Sequence, residues 1–134
     1  VRIHNTWKKA KSKTKGNIKK MKHEKLTEEV IIYILTRDLE ELSQLTRYGI
    51  AQKFDVNENY LSKRFKKDTQ VALFDYIESA QVHMAAELLK EREDLTVADV
   101  QKLVGIEKTQ HFYKKFKKIL GISPTQYRDL FKEK

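Results

Sequence analysis

The chain has 134 residues, of which 40% are apolar and 35% charged, with one Pro, four Gly and no Cys. That length suits one ordinary domain, or two very small ones sharing a core, and the Lys- and Glu-rich charge suits helices better than strands. The lack of Cys excludes disulfides, Cys-containing zinc sites and thiol catalysis, and no apolar run approaches the ~18 residues of a membrane span.

The net charge of +9 is unevenly placed: residues 1–25 hold ten Lys or Arg and one acid, and the remainder holds eighteen of each sign. This basic stretch, "VRIHNTWKKAKSKTKGNIKKMKHEK", has no sustained apolar period and no apolar run of the signal-peptide kind. It reads as a linker or loosely ordered arm, with a supplementary electrostatic contact to DNA as the functional alternative. Ile3 and Trp7, four apart, would suit a short helical stub packing on an upstream domain. A chain that starts at Val fits a fragment or a processed product.

Order is expected from "LTEE". Thr27 suits an N-cap, Glu28 and Glu29 suit the positive helix end, and Leu26 with Ile31 suits a hydrophobic staple. Val30, Ile31, Ile34 and Leu35 give a helical stripe that should fade before Ser43.

Two copies of one pattern follow. "LTRYGIAQKF" at Leu45 aligns with "LTVADVQKLV" at Leu95, fifty residues on. Thr46 and Thr96 are placed to cap short helices whose Ile50 and Val100 face inward, with Phe54 and Val104 one turn later. After a turn that is one residue longer in the second copy, "NENYLSKRFKK" at Asn57 aligns with "KTQHFYKKFKK" at Lys108, fifty-one residues on. Between the copies, Val71 to about Glu91 reads as one long amphipathic helix. Ser123 as N-cap and Pro124 at the first helical position open a last helix through Tyr127 and Leu130 to Phe131. The expectation is an all-α fold of about seven helices. Residues 1–25 form the arm, 26–70 a first helix-turn-helix unit, 71–92 the linker helix and 93–134 a second unit.

A short helix, a tight turn and a second helix make a helix-turn-helix. At ~100° per residue, Leu61 and Phe65 share one face of the second helix while Asn59, Lys63 and Lys66 lie opposite, with Ser62 and Lys67 on the flanks. In the second copy Phe112 and Phe116 face inward. Gln110, Lys114 and Lys117 face outward, with Tyr113 and Lys118 flanking. Each outward face begins with a carboxamide, continues with Lys one turn on and ends in Lys residues. Carboxamides pair with adenine and Lys with guanine in the major groove, and further Lys and capped helix ends suit phosphates. The candidate base contacts are Asn59, Ser62, Lys63, Thr109, Gln110, Tyr113 and Lys114. The candidate phosphate contacts are Thr46, Lys66, Lys67, Thr96, Lys117 and Lys118. Ordinary solvated helix faces would explain one such phrase; its repetition with the same inward and outward residues disfavours that explanation.

The stretch from about Ile31 to Phe131 resembles the DNA-binding domain of AraC/XylS-type bacterial transcription regulators, through "NENYLSKRFKK", the long helix ending "AAELL" and "LVGIEKTQHFYKKFKKILGISPTQYR". Gly105, Phe112, Phe116, Lys117, Gly121, Ser123, Pro124 and Tyr127 stand where the family's second-unit signature has them. The resemblance implies two recognition helices in successive major grooves, about one DNA turn (~34 Å) apart. It implies contact with RNA polymerase and a separate sensing or receiver domain; a receiver domain upstream would make this the C-terminal part of a response regulator, acting in the cytoplasm. The chain departs from the pattern at Gln70, usually Gly; at Gln81, often Arg; at Gln101, usually Ala; at Ile106, usually aromatic; and at His111, often Tyr. Gln101 is expected to point partly to solvent or to open the packing slightly.

No enzymatic constellation stands out. His4, His23, His83 and His111 lack metal-ligand spacing, so no metal or cofactor is expected. His111, beside the recognition face, would add pH dependence if it contacted DNA. Tyr33, Tyr48 and Phe74 are expected to pack. Two readings from other classes stay open: a non-specific architectural nucleic-acid binder driven by the basic arm, and an interaction module whose Lys faces bind an acidic protein. DNA selectivity separates both from sequence-specific regulation.

Overall fold

The computed structural model describes residues 25–132, and the arm, with its Ile3–Trp7 pair, lies almost wholly outside the described residues. Eight helices are present there and no strand: α1 (Leu26–Leu35), α2 (Leu39–Ser43), α3 (Arg47–Lys53), α4 (Glu58–Thr69), α5 (Leu73–Glu91), α6 (Val97–Val104), α7 (Thr109–Leu120) and α8 (Pro124–Asp129). The eighth helix, beyond the seven expected, arises because the first one breaks. Thr36 ends α1, and Asp38, in extended backbone, starts α2 by accepting from the Glu41 N–H.

Two compact units form, and they do not follow chain order. One combines residues 25–36 with 46–76; the other combines 37–45 with 77–132. α2 belongs to the second unit, and α5 runs unbroken through the division at Tyr76.

In the first unit, Leu26, Val30, Ile34, Ile50, Ala51, Leu61, Phe65 and Leu73 are buried. Thr27 is not the expected cap. Lys25 holds the cap position without a side-chain bond, while Thr27 is fully buried and donates to Asp68 Oδ2 at 2.6 Å. Asp68 also accepts from Arg64 Nε at 3.0 Å, so one carboxylate ties α1 to α4. Tyr33 packs edge-on against Phe54, but Tyr48 and Phe74 are mostly exposed rather than packed.

In the second unit, Val82, Ala85, Ala86, Leu89, Val100, Val104, Ile106, Phe112 and Phe116 form the core. Burying each phenylalanine contributes roughly 1.5–3 kcal/mol. Ser123 caps α8 through a capping box with Gln126, with Pro124 at its start, and the helix ends at Asp129, short of Phe131.

The duplication reaches the backbone. Asp55 (φ 57°) and Gly105 (φ 92°) end the first helices of the two pairs, and Gln70 (φ 66°) and Gly121 (φ 90°) end the second ones. All four are left-handed, and the second copy has Gly at both positions where the first has Asp and Gln. The turn bonds match as well: the Val56 N–H donates to Ala51 O, and the Ile106 N–H to Gln101 O. The left-handed region costs a non-Gly residue ~1–2 kcal/mol, partly offset by the backbone freedom Gly loses on folding. Gln70→Gly is therefore expected to raise stability by ~0.5–1 kcal/mol, seen as a higher denaturant midpoint with unchanged slope.

Candidate nucleic-acid interface

The first helix of each pair is capped as its sequence predicts. Thr46 Oγ1 accepts from the Gly49 N–H at 2.9 Å. Thr96 Oγ1 accepts from the Asp99 N–H at 3.0 Å, and Asp99 returns the bond to the Thr96 N–H. That reciprocal bond, from the Thr96 backbone first and its side chain second, holds the Asp99 carboxyl below its ordinary value. The two helix starts thus differ. α6 carries an acid in its first turn and α3 carries none, which makes Thr96 a poorer neighbour for a phosphate than Thr46.

Asn57 opens α4, accepting from the N–H groups of Asn59 and Tyr60, whereas Lys108 before α7 makes no side-chain cap. On α4, Leu61 and Phe65 are fully buried and Asn59, Lys63, Lys66 and Lys67 are exposed. On α7, Phe112 and Phe116 are fully buried and Thr109, Gln110, Lys114, Lys117 and Lys118 are exposed. The inward and outward sets therefore fall where a ~100° repeat puts them. Lys66 and Lys67, like Lys117 and Lys118, stand in the last turn, where cations also favour the helix dipole.

Two candidate base contacts are less open than the rest. Ser62 Oγ is buried without a hydrogen-bond partner, so its hydroxyl does not lie on the presented face. Tyr113 is half-buried, edge-on to Phe112, with its hydroxyl 3.3 Å from Thr125 Oγ1. Its ring still lines an open depression shared with Lys108, Thr109, Gln110, His111 and Lys114.

The residues that hold α7 were mostly invisible in the sequence. Gln101 is buried rather than turned to solvent, and its Nε2 donates to both Ile106 O and Glu107 O at 3.0 Å. The first copy has Ala51 there; the longer second turn leaves two carbonyls that the Gln side chain satisfies. Gln81, also buried, donates to Leu42 O at 3.0 Å and so caps the end of α2. Arg128, which the motif "SPTQYR" contains without assigning a role, donates to Leu89 O, Leu95 O and Arg92 O. His111 contacts Glu78 on α5. Among the described residues no group of His or acids is arranged to hold a metal, and no helix is long and apolar enough to cross a membrane.

A family described as a helix-turn-helix domain matches residues 50–129. A Bacillus subtilis protein named uncharacterized HTH-type transcriptional regulator YtdP is 38% identical over 98 residues, 73% of this chain and 12% of its own length. The Msm operon regulatory protein of Streptococcus mutans is 34% identical over 87 residues, 64% of this chain and 31% of its own. The chain thus spans only a minor part of either relative. Among solved structures, the C-terminal domain of the two-component response regulator yesN from Fusobacterium nucleatum superposes with a TM-score of 0.62 at 34% identity, over 75% of this chain and 96% of that one. The DNA-binding domain of AdpA, solved with a target DNA, gives a TM-score of 0.65 at 25% identity, over 80% of this chain and 93% of that one.

Proposed function

Because the chain belongs to the AraC/XylS-type helix-turn-helix family, we propose that it binds double-stranded DNA sequence-specifically as part of a bacterial transcription regulator, with α4 and α7 as its two reading helices in successive major grooves. The observation that carries this reading is the duplicated outward face, carboxamide then Lys then C-terminal lysines, on a frame duplicated down to its left-handed turns. Solvated surface alone gives no reason for that match.

In this reading Asn59, Lys63, Thr109, Gln110, Tyr113 and Lys114 meet base edges, while Thr46, Lys66, Lys67, Thr96, Lys117 and Lys118 meet phosphates. Ser62 remains a flanking candidate for a base contact, with its Oγ turned inward in the unbound chain. The short share of its relatives' length, and the likeness to C-terminal domains of response regulators, support an upstream sensing or receiver domain joined through residues 1–25. The action would be cytoplasmic, through contact with RNA polymerase, and would not be enzymatic.

Alanine at Lys63 or Lys114 is expected to relax specificity at separate positions of the site by ~1–3 kcal/mol. Alanine at Lys66 or Lys117 is expected to weaken binding to all sequences and to flatten the salt dependence by about one phosphate contact. Titration of each variant against matched, singly mismatched and unrelated duplexes at several salt concentrations separates the two classes. Equal losses on every sequence for all four variants would remove the base-reading assignment.

A further inference from the structure

We propose that Glu78 is a positioning residue for the second recognition helix and that, through His111, it makes DNA binding by that helix pH-dependent. The inference rests on the duplex-binding reading above. His111 and Lys115 stand one helical turn apart on one flank of α7, between its buried Phe face and its presented Gln110–Lys114 face. Both reach the Glu78 side chain, which is only 9% exposed: His111 Nε2 lies 2.8 Å from Oε2 and 3.0 Å from Oε1, and Lys115 Nζ lies 3.6 Å from Oε1. A carboxylate at that depth is costly without partners. Two partners on successive turns of one helix fix the rotation of that helix about its axis. That rotation sets where Gln110 and Lys114 point.

His111 also faces the other way. Its side chain is 45% exposed, and its ring lines the open depression with Lys108, Gln110 and Lys114. The charged groups around it are Glu78 from α5 and Lys108, Lys114 and Lys115 from α7 and its entry. Imidazole changes charge within the physiological range. The cationic ring strengthens its bond to Glu78 and adds a positive charge beside a docked polyanion. A cationic ring beside the docked polyanion favours the complex, so affinity rises as pH falls. The first copy has no such device. Tyr60 stands at the position of His111, and Arg64, at that of Lys115, pairs with Asp68 of its own helix.

The test uses the whole chain and a duplex carrying its selected site, at fixed salt, between pH 6 and 8. Affinity is expected to rise several-fold from pH 8 to 6. The rise should vanish when the part of the site read by α7 is scrambled and persist when the other part is. His111→Gln, whose amide can still donate to Glu78, is expected to give a flat profile. Glu78→Gln is expected to lower discrimination at the α7 part several-fold and to flatten the profile. A flat wild-type profile, or a pH dependence that survives His111→Gln, would overturn the inference. Lack of sequence-selective binding at every pH would instead remove the duplex-binding reading beneath it.

Discussion

Gly105→Ala is expected to destabilise the second unit by about 3–5 kcal/mol, enough to unfold much of it at ordinary temperature. Two penalties add. Gly105 has φ 92°, where an L side chain is strained. A Cβ there would also lie 2.2 Å from Ser43 O, 2.9 Å from Ser43 C and 3.0 Å from Ser43 Cα. These are backbone atoms at the end of α2, so no rotamer change relieves the overlap, and α2 must leave α6. Gly121→Ala is the control. Its φ is 90°, but nothing lies within 4 Å of an added Cβ, so only the conformational term remains, ~1–2 kcal/mol. Denaturant unfolding of the two variants separates steric from conformational cost. Equal losses would mean that the approach of α2 to Gly105 contributes nothing.

Arg128→Ala is expected to cost about 3–4 kcal/mol. One guanidinium donates through Nε to Leu89 O at 3.1 Å, through Nη1 to Leu95 O at 2.6 Å and through Nη2 to Arg92 O at 3.1 Å. It gathers the last turn of α5 and the connection to α6 onto α8. Those carbonyls have no continuing helix to satisfy them. Lys cannot span three acceptors with one ammonium, so Arg128→Lys should recover less than half of the loss. Full recovery by Lys would show that charge rather than the fork matters there.

What the sequence made legible follows from its repetition. One inward stripe is weak evidence of a helix pair. Two that agree at Leu61/Phe112 and Phe65/Phe116, each preceded by a capping Thr, leave little freedom, and the helices and their exposed faces stand accordingly. The break at Thr36–Asp38 was readable in principle, since Asp38 followed by Glu40 and Glu41 is a helix start, but the continuing apolar residues Leu39 and Leu42 masked it. Thr27 looked like a cap because caps are local; its bond to Asp68, forty-one residues away, is set by packing. The same holds for Gln81, Gln101, Glu78 and Arg128. Each is a polar side chain whose partner is a distant or non-periodic group, and neither periodicity nor composition signals such pairs. Gln101 carries one local clue. It is a long amide where Ala51 stands in the first copy, beside a turn one residue longer.

If α4 and α7 read sequence, selection of duplexes from a random library by the whole chain, at near-physiological salt, should enrich two short motifs, one losing definition in Lys63→Ala and the other in Lys114→Ala. Tight, salt-sensitive binding with no enriched sequence would contradict that reading and would favour a non-specific architectural role driven by the basic arm.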